Sequence, residues 1–187
     1  MEKLNYFLDD GLIEDLKNLI GQPLRQIEFR EIIPSGKVGA LPMTVWAGDV
    51  PVTIGYGSDE FPISPYDYYP LSYLVQKPNP LEPSKGTNRL IHLKNQTLTE
   101  VEIVRAVVKG YFNSRQFLDI AIDLSFVFYT ENGFVSLQRT FLDDFAVDIQ
   151  LGQNDDEVTL VTPNFTGETD LEYRYEASLE VFPLSVR

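Results

Sequence analysis

Between Phe117 and Tyr129 the chain alternates without interruption. Leu118, Ile120, Ile122, Leu124, Phe126 and Phe128 are apolar, and Asp119, Ala121, Asp123, Ser125, Val127 and Tyr129 stand between them. A period of two residues is that of a strand with one face on a core and the other outward. Asn132-Gly133 follows and is a preferred two-residue hairpin turn, which predicts that Phe128 faces Leu137 and Leu124 faces Phe141 across it. The same register puts Arg139 on the apolar face opposite Phe126. There a guanidinium either reaches into water at the sheet margin or forms a structural salt bridge. Alternating runs at Phe145 to Leu151, Val158 to Thr162 and Leu171 to Val181 predict further strands of an antiparallel meander. In the last run Leu171, Tyr173, Tyr175, Ala177, Leu179 and Val181 are expected inward, and Glu172, Arg174, Glu176 and Glu180 outward.

The first twenty residues carry a different period. Leu12, Ile13, Leu16, Leu19 and Ile20 recur at helical spacing, Asp9 or Asp10 can cap the first turn, and Gly21 followed by Pro23 supplies a stop. Leu4, Phe7 and Leu8 fit the same stripe, so the helix extends upstream if Gly11 is tolerated inside it. Leu24 to Ile33 then reads as a strand, and Gly48-Asp49 between Thr44–Ala47 and Val50–Tyr56 reads as a hairpin in which Pro51 marks an edge strand. Residues 57–88 hold Pro62, Pro65, Pro70, Pro78, Pro80 and Pro83 among many aromatic residues, which predicts a packed proline- and tyrosine-rich loop.

Residues 99–109 carry two opposed signals. Thr99 with Glu102 has the form of a capping box, which predicts a second helix, whereas Val101, Ile103, Val104, Val107 and Val108 are β-branched and predict a strand with a bulge near Arg105. The fold expected from these patterns is mainly β in the α+β class. It is a single globular domain over residues 1–187, an antiparallel β-sandwich or curved meander sheet with an N-terminal amphipathic helix.

Composition restricts the chemistry more than it selects it. The chain has no cysteine, which removes disulfides and thiolate sites, and one histidine, His92, within Leu90-Ile91-His92-Leu93, which reads as a strand residue. Neither a phosphate-binding glycine loop nor a nucleophile elbow is present, so no catalytic residue, metal site or cofactor is assigned and a non-catalytic role is expected. A carboxylate or metal-dependent hydrolase is the weakest of three function classes. Asp119 and Asp123 share a strand face but lie about 13 Å apart along it, and Gln153 to Glu157 with Asp143 and Asp144 lack the spacing of a helix-loop-helix calcium site.

Net charge separates the other two classes. At −13 the protein is a poor partner for nucleic acid or anionic membrane, and without a signal-like start or an apolar span a cytoplasmic location is expected. After Asp143 the acids are opposed only by Arg174 and Arg187. Glu172, Glu176 and Glu180, with Asp155 and Asp156, therefore either form a solvated face or dock a basic protein, as an inhibitor, an immunity-like protein or an assembly component. Tyr66, Tyr68, Tyr69 and Tyr73 offer the alternative, a small-molecule or carbohydrate site built from aromatic rings with polar tips, and they also suit the anchor of a protein interface.

Overall fold

The computed structural model describes residues 3–32, 38–62, 68–77, 89–139, 146–153, 157–162 and 173–185. Its elements in chain order are β1 (Leu4–Tyr6), α1 (Asp10–Leu19), β2 (Pro23–Ile32), β3 (Val38–Ala47), β4 (Val50–Pro62), β5 (Tyr68–Lys77), β6 (Arg89–Phe112), β7 (Arg115–Thr130), β8 (Gly133–Gln138), β9 (Ala146–Gly152) and β10 (Tyr173–Leu184). The class is mainly β with one short helix, and the strands form a large mixed sheet. Among the described strands only β1 runs parallel to its neighbour, pairing Leu4 with Ile120 and Tyr6 with Ile122 on β7. It takes up the upstream stripe of Leu4 as strand, so the helix, although it contains Gly11, starts at Asp10 and does not extend back to Leu8.

The helix begins where its sequence allows a cap. Asp9 Oδ1 accepts the Leu12 N–H at 2.8 Å, and the chain leaves after Leu19 through Ile20 and Gly21, whose φ of +86° suits glycine. Leu12, Leu16 and Leu19 are fully buried, each burial stabilising by roughly 1.5–3 kcal/mol. They pack into one cluster with Ile27, Phe29, Met43 and Val45 of β2 and β3 and with Phe126, Phe128, Val135 and Leu137 of β7 and β8.

That cluster lies on the inner face of a ring. β6 pairs with β7, β7 with β8, β8 with β9, β9 with β3, β3 with β2, and β2 returns to β6. The length of β6 closes this circuit, because Arg89–Thr97 serve β2 while Leu98–Phe112 serve β7. The curved sheet is thus one continuous pairing network instead of two facing layers. Hairpin β4–β5 extends it from β3, and β10 extends it from β6.

The 99–109 segment is strand throughout. Both capping-box residues serve β7: Thr99, the extra residue of a bulge, donates its hydroxyl to the Tyr129 carbonyl at 3.2 Å, and Glu102 accepts the Tyr129 O–H at 2.9 Å. The expected bulge near Arg105 is present with its extra residue on β7, where Val104 pairs with Ser125 and Arg105 with Asp123, leaving Leu124 between. This shift sets Arg105 directly across from Asp123.

Several expectations need correction. Thr130 pairs with Gly133 and Phe126 with Leu137, so the turn is Glu131-Asn132 and the β8 register differs by two residues from the one predicted. A shift of two keeps every side chain on its face, which is why the apolar pattern survives. Phe128 accordingly faces Val135. Arg139 is 1% exposed, so it does not reach into water at a margin, and its main-chain N–H donates to Ser125 Oγ at 3.2 Å. Phe141 lies outside the described residues. The alternate face of β7 is buried too, at Ala121, Asp123, Ser125 and Val127: Val158 and Leu160 pack in the cluster of Val127, and Leu8 and Arg105 bond to Asp123.

Pro51 does not make β4 an edge, since β5 pairs with it from Thr53 onward. The proline stands opposite Trp46, before β5 begins, where its missing N–H leaves no ladder bond unmade. Much of the 57–88 loop is in fact hairpin: β4 runs on to Pro62 and β5 covers Tyr68–Lys77, with Pro70 on the strand that has β4 as its only partner among the described residues. Residues 63–67 and 78–88 lie outside the described residues. Val158 to Thr162 alternate as expected, with Val158 and Leu160 packed on Val104, Val127 and Phe134, but they join no ladder. Gln138 Nε2 donates to the Thr159 carbonyl at 2.7 Å and Gln138 Oε1 accepts the Val161 N–H at 2.9 Å. Gln150 does the same for the Glu157 carbonyl at 2.9 Å and the Thr159 N–H at 3.3 Å. Two side-chain amides thus replace a neighbouring strand.

Candidate functional site

Sequence order places β10 last, and among the described residues its sole strand neighbour is β6. The pairing runs in unbroken register from Tyr173 opposite Phe112 to Leu184 opposite Val101. One edge of a twelve-residue strand is therefore satisfied, and the other has no strand partner among the described residues. The faces of β10 are open as well. Ala177 is exposed and Val181 is 40% exposed, contrary to the inward placement expected for both, because a strand outside the ring covers little of the core. Tyr175 and Leu179 keep partial burial against the cluster of Ala106, Val108 and Leu118.

The acidic residues divide. Glu176 and Glu180 are exposed on one face of β10, opposite Lys109 and Arg105 of β6. Glu176 also takes a 3.2 Å contact from Arg174 Nη2 and a 3.3 Å hydrogen bond from the Tyr111 hydroxyl. Exposed pairs of this kind contribute about 0–1 kcal/mol, so Glu176 remains available to a partner. Glu172, Asp155 and Asp156 lie outside the described residues.

Toward its C-terminal end the same face becomes aromatic. The Arg105 guanidinium sits 3.6 Å from the Phe7 ring centroid and 4.4 Å from that of Phe182, rings that are 43% and 37% exposed. Beneath them Arg105 Nε donates to Asp123 Oδ1 at 2.7 Å, and the Leu8 N–H donates to Asp123 Oδ2 at 2.9 Å. Asp123, at 1% exposure, is thus the joint between the N-terminal segment and the sheet, and removing one partner of such a pair typically destabilises by about 3–5 kcal/mol. It is not available as half of a catalytic carboxylate pair with Asp119, whose Oδ2 accepts from Gln116 Nε2 at 3.3 Å.

The tyrosine group does not assemble as a described platform. Tyr73 is half-buried, its ring 5.1 Å from that of Tyr6. Tyr68 and Tyr69 belong to β5 by backbone alone, and Tyr66 lies outside the described residues. The proposed cation ligands Asp143 and Asp144 lie outside as well. Among the described residues no three His, Asp or Glu side chains converge. No described helix is long and apolar enough to cross a membrane.

Pattern reading of the sequence missed a cleft. It opens between β6, the β7–β8 turn and the end of β9, with a volume of about 320 Å³. Its apolar lining is Leu24, Leu93, Phe134, Val135 and Leu151, of which Leu93 is half-buried and Leu151 57% exposed while the other three are at most 3% exposed. Its polar lining is His92, Lys94, Gln96, Thr130, Asn132 and Gln153. A local irregularity shapes it: Leu24 pairs with Gln96 but Gln26 with His92, and Asn95 takes a φ of +53°. The asparagine at a left-handed position was the available sequence signal. No family model, no curated protein and no solved structure matches this chain.

Proposed function

We propose that the protein is a non-catalytic interaction module that docks a basic protein along β10. The observation that carries this reading is the edge strand itself, with β6 as its one neighbour among the described residues and side chains exposed on both faces. An extended partner segment adding to that edge gains main-chain hydrogen bonds, the usual basis of affinity in strand addition. Phe182 with Phe7 on one face and Val181 on the other supply apolar contacts, and Glu176 and Glu180 select for Lys or Arg opposite them. Pairing of β10 with a second copy is disfavoured, because it brings together two chains that each carry −13.

The test is a photo-crosslinking side chain at the exposed Ser178. In extract of the native host it is expected to give a discrete adduct with a basic protein, and the adduct weakens at high salt and when Glu176 and Glu180 become Gln. Adducts insensitive to both changes, or an adduct with the chain itself, would overturn the reading.

A further inference from the structure

The cleft beside His92 carries an inference independent of β10. Among the described residues no carboxylate lines it, although the chain holds 28 acidic residues against 15 Lys and Arg. Lys94 is exposed at its mouth and has no ion-pair or hydrogen-bond partner among the described residues. The remaining polar groups are the His92 imidazole, neutral amides and a hydroxyl, and Thr130 Oγ1 already lies 2.6 Å from Gln96 Oε1 and 3.0 Å from the Gly133 carbonyl. The apolar surface open to a ligand there is that of Leu93, which is half-buried, and Leu151, which is 57% exposed, since Leu24, Phe134 and Val135 are at most 3% exposed.

We propose that this cleft binds a small amphiphile with a single negative charge, a carboxylate head held at Lys94 beside His92 and an apolar body laid on Leu93 and Leu151. One ammonium over an apolar floor selects one anionic group joined to a hydrocarbon portion, and the volume stands at the small end of ligand clefts, which span roughly 300–1,000 Å³. Polyanions are disfavoured. Glu157, which accepts the Gln153 N–H at 3.3 Å, and Glu131 in the β7–β8 turn stand just outside the lining, and both repel further negative charge.

The single histidine makes the test direct, because one imidazole gives one set of ring resonances at the mouth of the cleft. Octanoate is titrated into the full chain while the His92 ring signals are followed, with octanamide as the uncharged probe of equal length. Octanoate is expected to shift the His92 signals to saturation and to bind about fivefold more tightly than octanamide, as befits one exposed charge pair. Lys94→Gln should abolish the difference between the probes, and Lys94→Arg should keep it. An unmoved His92 signal, equal binding of both probes to the wild type, or a preference that survives Lys94→Gln overturns the proposal. Because both substitutions are at an exposed side chain, the backbone amide spectrum outside the cleft should be unchanged. None of these outcomes bears on docking at β10.

Discussion

Gly133 shows how a residue can be right for a reason the sequence does not display. Its φ of +151° favours glycine, but it is not the second residue of the turn, and a Cβ there would lie 2.2 Å from the Gly152 carbonyl oxygen of β9. The constraint is the approach of another strand, distant in sequence, which no dipeptide preference can encode. Gly133→Ala is expected to destabilise by about 2 kcal/mol or more, since it adds overpacking to backbone strain. Urea unfolding measures it, and an unchanged midpoint would contradict the close approach. Tyr6 carries a second prediction at this scale. Burial pushes its phenol up to about 12, assisted by the hydrogen bond it donates to Asp59 Oδ2 at 3.1 Å, by the charge of Asp59 and by Tyr73. The folded pKa stands above the ordinary phenol value of 10.0, so this contribution to stability is complete below about pH 10 and is lost as the pH rises toward 12. The stability difference between wild type and Tyr6→Phe should therefore shrink on going from pH 9 to pH 11, and a constant difference would contradict it.

At the scale of elements, α1, β2, the β3–β4 hairpin, β7 and β9 were legible because their periods and punctuation are local. The Asp9 cap, Gly21 and the alternation from Leu118 to Phe128 each act within a few residues. What escaped was decided by neighbours: a capping box consumed by Tyr129, prolines accommodated beside an edge with no partner among the described residues, and 157–162 held by glutamines. The glutamine pair is the most exposed to test. Gln138→Leu leaves the Val161 N–H and the Thr159 carbonyl without their partners, and its Nε2 also donates to Ser136 Oγ at 2.8 Å. A loss of about 1–3 kcal/mol follows from leaving such groups unsatisfied. Proteolysis should cut first within 157–162 in this variant, and resistance equal to the wild type would show that Val158 and Leu160 hold the segment by packing alone.

For the whole molecule, the alternating runs indicated a curved antiparallel sheet but not its closure. Closure depends on the 24-residue β6 serving two partners, and nothing within the strand says where one pairing ends and the next begins. The candidate site was legible only in part: the acids of β10 were visible, while the edge they occupy follows from the ring's excluding β10. The cleft was not legible, since its lining comes from β2, β6, β7, β8 and β9. The docking reading stands on the openness of the β10 edge, and residue-resolved amide exchange of the isolated protein tests that most directly. Amides of Tyr173–Leu184 that bond to β6 should be protected, and those between them should exchange rapidly, giving an alternating pattern along the strand. Uniform protection of β10 would show that its outer edge is already covered, and would contradict the account.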